Sequence, residues 1–285
     1  MNRKRNKKKW VLAFIFTIGL AIFLYPNIGK IYAEYSQLQI ILDYKRQQAD
    51  MDEQIKELEL EKLQAYNHSL TADEFIYVDP FEEIEKEANQ ENIPKDKRLG
   101  ETLGHIEIPK LKIDIPIYKG TTDYILQNGI GLLEKSSLPI GGSSTHAALT
   151  GHRGLPQSEL FTHLDDLQVG DDFLIHSLAG TLAYEVKTIK TVLPHETETL
   201  KIVPGEDLVT LITCTPYMIN THRILVTGTR VPYVPTAEEK DEGNATTVAS
   251  NNKMVIVLIV LGLGVIIAII IFIVHKKQKS AGEQP

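Results

Sequence analysis

From Gly104 to Val231 the chain is a succession of short, β-branched apolar runs separated by turn signals, and no other feature constrains its fold as strongly. Residues 105–108, 113–117, 129–133, 145–150, 172–176, 182–186 (continuing through Ile189), 208–212 and 223–227 each read as a strand. The runs are too short for helices, and strands this short bury a core only when their sheet meets itself or another sheet. A closed β-barrel or a sandwich is therefore expected. Short helices are expected near Asp123 to Asn128 and Glu159 to Leu167. The stretch has the length of one ordinary domain and contains no internal repeat.

The two ends suggest where that domain works. Residues 2–9 are densely cationic, Trp10 to Tyr25 is apolar without a charge, and Pro26 closes the segment. This reads as a signal peptide or a signal anchor. Cleavage after Ala33 is conceivable, although Ile31 is a poor small residue for it. Met254 to Val274 is also uncharged and is long enough to cross a bilayer, which takes about 20 residues. Lys276, Lys277 and Lys279 follow it. Positive charge flanks the outer end of each apolar segment, which puts both tails in the cytoplasm and the middle of the chain outside. Gly262 and Gly264 are too close to form a small-xxx-small pairing motif. The formal net charge of −7 includes both basic ends, so the external part is acidic. It has no basic stripe with interleaved aromatics, and nucleic acid is not expected as a partner.

Between the first apolar segment and the strands, residues 34–66 repeat Leu and Ile at helical spacing without Gly or Pro, as one or two amphipathic helices or a solvated stalk would. Residues 67–99 are polar and acidic. Within them, Asp79 as cap and Pro80 in the first turn signal a short helix from Phe81 to Asn92. The expected domains are 1–33 (basic N-terminus and signal or anchor), 34–99 (helical region, with residues 77–92 set apart), 100–233 (β-domain), 234–252 (tether), 253–275 (transmembrane helix) and 276–285 (cytoplasmic tail). The sequons at Asn67 and Asn244 are of a kind that occurs often by chance.

The chain has one cysteine, Cys214, at the end of an apolar strand just before Pro216. It has no partner for an internal disulfide, and outside the cell a lone thiol is open to oxidation. A nucleophile explains it. Such a thiol needs help to ionise near neutral pH, from an imidazole or a guanidinium. His152 lies between Gly151 and Gly154 past a strand end, and Arg223 opens the strand after Cys214. A hairpin would bring Arg223 to the cysteine's rim, where a guanidinium can hold an oxyanion. Spacing alone does not choose His152, because His146 faces the same way on a regular strand and His222 adjoins Arg223.

These residues resemble a known family. Leu211-Ile212-Thr213-Cys214-Thr215, followed by Arg223, is similar to the TLxTC…R signature of sortases, with Ile212 a mild variation. Leu149-Thr150-Gly151-His152-Arg153 is similar to their histidine motif. The resemblance implies a mainly β fold: a closed eight-stranded barrel with short helices, here preceded by N-terminal helices and flanked by membrane segments. It implies Cys214 as nucleophile, His152 as general acid and base, and Arg223 as substrate and oxyanion stabiliser. The second apolar segment and Asp79-Pro80-Phe81 resemble the pilus-assembling class C members, whose lid carries an Asp-Pro-aromatic motif. Carried over, Asp79 would meet Arg223 and Phe81 would cover Cys214.

The implied activity cleaves an LPxTG-like sorting signal of a pilin and joins it, through a thioacyl intermediate, to a lysine amine of another pilin. Neither cofactor nor metal is expected, and no nucleotide or zinc spacing is present in the sequence. Two alternatives stand beside this reading: a housekeeping sortase anchoring proteins to peptidoglycan, and a catalytically silent, membrane-tethered adhesion domain.

Overall fold

A computed structural model describes residues 2–70, 79–83, 99–196 and 198–235, apart from several side chains within residues 2–26. Two units are distinguished, residues 1–35 with 235–285, and Ser36–Val234. In the first unit the structure describes the opening part of helix α1 (Asn2–Ala49), which continues past Pro26. Among the described residues no helix is long and apolar enough to cross a membrane. The expected membrane flanks therefore gain no support from the structure, and residues 254–274 lie outside the described part.

In the second unit the end of α1 is followed by α2 (Glu53–Ser69), so residues 34–66 form two helices. The break falls where Asp52 adopts an extended conformation and its carboxylate accepts the Gln54 N–H at 2.9 Å, an N-cap. Asp79 caps α3 (Pro80–Glu83) in the same way, accepting the Phe81 N–H at 3.1 Å. The remainder of the helix expected to Asn92 lies outside the described residues.

The strands are β1 (Thr102–Ile108), β2 (Ile113–Lys119), β3 (Ile130–Leu132), β4 (Thr145–Thr150), β5 (Asp172–Ser177), β6 (Gly180–Val192), β7 (Asp207–Thr215) and β8 (His222–Val231). Helix α4 (Asp123–Asn128), capped by Thr122, joins β2 to β3. The strands close into a barrel in the order β1-β2-β3-β4-β7-β8-β6-β5, with β5 pairing back onto β1. The pairs β2/β3 and β4/β7 are parallel and the others antiparallel. Ile106, Ile117, Leu149, Phe173, Leu211 and Val226 fill the interior, each fully buried. The helix expected over Glu159 to Leu167 is instead a series of turns ending in one 3-10 turn, Leu164–Asp166. Leu160 takes φ +37°, which interrupts a right-handed helix, while Leu160, Phe161 and Leu164 still reach the core.

The N-terminal helices dock on this barrel. Ile40 of α1 packs on Tyr118, Ile125 and Leu126, and Leu60 and Leu63 of α2 pack on the main core. The Tyr44 hydroxyl donates to the Leu103 carbonyl at 3.0 Å. Asn67 is buried, and its amide bonds both backbone groups of Leu138, donating to the carbonyl at 3.1 Å and accepting the N–H at 2.7 Å. A sequon asparagine in this position serves as a strand-like tie and is not available to a glycan.

Burial pushes the imidazoles of His105, His146 and His152 below their ordinary value of 6.5. Between those lowered values and 6.5 the unfolded chain binds protons that the folded chain does not. Stability is thus complete above pH 6.5 and declines as the pH falls below it. Thermal melting followed from pH 7.5 to pH 5.5 is expected to show a falling midpoint, at up to ~1.4 kcal/mol per pH unit for each histidine. A midpoint independent of pH over that range would contradict this account.

Candidate active site

The site forms where β4, β7 and β8 end together. Cys214 is the penultimate residue of β7, and its partner across the antiparallel pair is Arg223 on β8. Directly opposed residues point to one face, with Cβ atoms about 5 Å apart. The β7–β8 hairpin read from the sequence therefore brings these two side chains together.

His152 arrives by a different route. The parallel β4/β7 pairing ends at Thr150 opposite Ile212. The next step is held by two further bonds: the Gly151 N–H donates to the Ile212 carbonyl at 3.1 Å, and the Thr213 hydroxyl donates to the Gly151 carbonyl at 2.7 Å. His152 follows, two residues past Thr150 as Cys214 is two past Ile212, so both residues leave the same end of the β4/β7 pair. Both neighbouring glycines are needed here. A Cβ on Gly151 would lie 2.5 Å from Ile130 Cδ1 and 2.9 Å from Phe161 Cδ2. Gly154 has φ +80°, and a Cβ there would lie 2.7 Å from the Tyr217 ring.

The alternative histidines are engaged elsewhere. His146 is buried in β4, with Nε2 at 2.7 Å from Thr210 Oγ1 and Nδ1 at 2.9 Å from the Lys201 carbonyl. His222 sits opposite Thr215, with Nδ1 at 2.9 Å from Thr221 Oγ1.

Asp79, Pro80 and Phe81 lie over this rim. The Asp79 carboxylate accepts a hydrogen bond from Nη2 of Arg223, and both side chains are buried. Nη1 of the same guanidinium donates to the carbonyls of Asn220 and His222, each at 2.9 Å. The Phe81 ring has the Arg223 guanidinium carbon 5.1 Å from its centre, and its centroid is 5.3 Å from that of His152. Phe81 also packs on Tyr118, Ile125 and Leu126, the cluster that receives Ile40 of α1.

At this buried position the thiol resists ionisation. Burial pushes Cys214 up to about 11 from 9.0. Arg223 and Arg153 oppose the rise and Asp79 adds to it. Burial lowers His152, against the pull of Asp123, whose carboxylate is 4.0 Å from Nε2. At neutral pH the rim therefore carries an un-ionised thiol and a neutral imidazole. Asp123 and Arg153 are contacts that carry little signal in the sequence beyond their position, one at the start of a short helix and one next to His152.

Comparison with known proteins agrees with this geometry. A family model described as a sortase domain matches residues 106–231. Sortase A of Bacillus anthracis is 28% identical over 137 residues, 48% of this chain and 62% of that protein. Sortase A of Streptococcus agalactiae is 30% identical over 40% of this chain and 47% of that one. The chain thus spans less than two thirds of the length of these curated relatives. Solved structures cover more. Sortase C1 of the GBS pilus island 1 is 44% identical with a TM-score of 0.61, covering 69% of this chain and 93% of that one. Sortase C-1 of Streptococcus pneumoniae is 46% identical with a TM-score of 0.60, covering 69% and 100%. A closed eight-stranded barrel, a cysteine and arginine paired across β7 and β8, and this degree of identity lead to one conclusion: the chain belongs to the sortase family.

Proposed function

We propose that the protein is a cysteine transpeptidase of the pilus-assembling class, acting on the outer side of a membrane in which both ends of the chain are anchored. Its substrates are pilins that carry an LPxTG-like sorting signal and an acceptor lysine. The observation that carries this reading is the Cys214–Arg223 cross-strand pair at the rim where β4 delivers His152. The buried Asp79–Arg223 contact supports the pilus class over a peptidoglycan-anchoring enzyme.

The chemistry follows from the residues. When the Asp79-Pro80-Phe81 lid withdraws, the Nη2 position that Asp79 occupies becomes open to a substrate oxygen, and water reaches the thiol. Cys214 passes its proton to the neutral His152, and the thiolate adds to the Thr–Gly carbonyl carbon. Arg223 holds the oxyanion. The C–N bond breaks as His152 gives that proton to the leaving amine. The lysine amine then attacks the thioester, His152 takes its proton, the C–S bond breaks, the proton passes back to the sulfur, and an isopeptide bond remains. One acyl bond is exchanged for another, so no external energy source is required.

Incubating the full chain with a sorting-signal peptide, quenching in acid and weighing the protein is expected to reveal an adduct of the peptide cleaved after Thr, absent in Cys214→Ala. A parent protein that cleaves the peptide without such an adduct, or a Cys214→Ala variant that still cleaves it, would exclude thioacyl catalysis.

A further inference from the structure

Arg153 follows His152 in the chain, and its surroundings are unusual for a residue in a loop. Its side chain is 8% exposed. Nη1 donates to Thr215 Oγ1 at 3.1 Å, and Thr215 is the residue after Cys214. Nη2 donates to the Asp165 carboxylate, and the guanidinium carbon lies 5.8 Å from the centre of the Tyr217 ring. Among the described residues its buried Nε–H has no hydrogen-bond partner. Thus the neighbour of His152 grips the neighbour of Cys214, across two strand ends whose ladder has already stopped at Thr150 and Ile212.

We propose that Arg153 is a positioning residue, a brace that holds the imidazole of His152 and the sulfur of Cys214 at a working separation. This rests on the transpeptidase reading above. The brace matters because of what it does not touch. Arg223 is bound to the lid through Asp79, so its environment changes whenever the lid moves. Arg153 is bound to Thr215 and Asp165, both outside the lid, so its contacts persist when the lid is open. It also contributes positive charge near the thiol, acting with Arg223 to oppose the effect of burial on Cys214. Only a guanidinium can reach both Thr215 and Asp165 with separate nitrogens; an ammonium supplies the charge without the fork.

The test uses the full chain and four variants: Arg153→Met, Arg153→Lys, Thr215→Val and the double variant Arg153→Met/Thr215→Val. Two quantities are followed, kcat and KM for peptide cleavage and the pH profile of Cys214 alkylation by iodoacetamide. Thr215→Val, which removes only the acceptor, is expected to lower kcat roughly tenfold with KM little changed, the size of one hydrogen bond to a charged group. Its alkylation profile is expected to match the parent. Arg153→Met is expected to lower kcat further and to move the alkylation profile to higher pH. Arg153→Lys is expected to restore the profile without restoring kcat. Adding Thr215→Val to Arg153→Met should cost nothing more, because the two residues act through one contact.

A role confined to fold stability would leave the alkylation profile of Arg153→Met unmoved and make the two losses multiply; either result overturns the brace. Should Arg153→Met fail to fold, Thr215→Val decides alone, and parental kcat in that variant overturns the proposal. Turnover surviving in Cys214→Ala would dismiss the transpeptidase reading itself, a result distinct from either of these.

Discussion

Alkylation of Cys214 is expected to accelerate by up to about 100-fold near neutral pH when Asp79 and Phe81 are both replaced by alanine. The magnitude follows from the thiol. With the lid in place it stands at about 11, against 9.0 for a solvated cysteine. Below both values the thiolate fraction rises tenfold for each unit by which the pKa falls, so full relief of two units gives about 100-fold more thiolate. The gain in rate is smaller where the less basic thiolate is also the weaker nucleophile. One of the causes belongs to Asp79, whose carboxylate disfavours a second anion while occupying Arg223, and in the proposed lid the Phe81 ring beside that guanidinium would add to the burial. The sign is fixed: reactivity sets in at lower pH in the variant than in the parent.

The single variants separate these effects. Asp79→Asn keeps a side chain of the same shape and removes its charge, so it is expected to fall between parent and double variant. Phe81→Ala leaves the ion pair and exposes the thiol. Stopped-flow labelling with a small alkylating agent across pH 6 to 10 provides the measurement. Equal rates in parent and double variant at every pH would remove the lid from the account.

Substituting His152 by alanine is expected to lower kcat/KM for peptide cleavage by about 1000-fold, within the range for loss of a general acid and base. The expected loss is large because in the proposed mechanism His152 serves both half-reactions, taking the thiol proton, giving it to one amine and removing another from the next. Its lowered pKa suits this duty, since a neutral imidazole is ready to accept. His146→Ala provides the contrast. That imidazole bridges Thr210 and the Lys201 carbonyl inside the barrel wall. Its removal leaves buried partners unsatisfied and is expected to destabilise the fold by about 1–3 kcal/mol while kcat per folded molecule is retained. Parental turnover in His152→Ala, or abolished turnover in a folded His146→Ala, would reverse the assignment of the base.

Local structure in the barrel was readable because alternation and turn residues report directly on strands. Every run read as a strand corresponds to one of β1–β8, and Asp123 to Asn128 is the helix α4. Ends were less readable. β6 extends to Val192 and β8 to Val231, because pairing with a long neighbour carries a strand past its most apolar part. The Glu159–Leu167 segment failed as a helix since its apolar residues answer to the core and Leu160 has a left-handed backbone. Cys214 and Arg223 were legible as neighbours through a hairpin. His152 was not distinguishable from His146 by period, because the ladder that carries His146 into the wall stops before His152. The contacts of Thr213 and Arg153 join segments remote in sequence, and nothing local announces them.

One feature of the barrel bears on how any guest is recognised. Because β5 returns to β1, the described sheet has no free outer strand, and its open border is confined to stretches paired on one side only, such as β6 from Thr188 to Val192. Discrimination among guests is then expected to lie mainly in the connecting segments above β4, β7 and β8, which include the exposed Tyr217, Met218 and Ile219. Those segments can change residue by residue while the wall beneath them stays intact. A lineage of such enzymes can therefore acquire new preferences by rewriting its turns, with its folding core left alone.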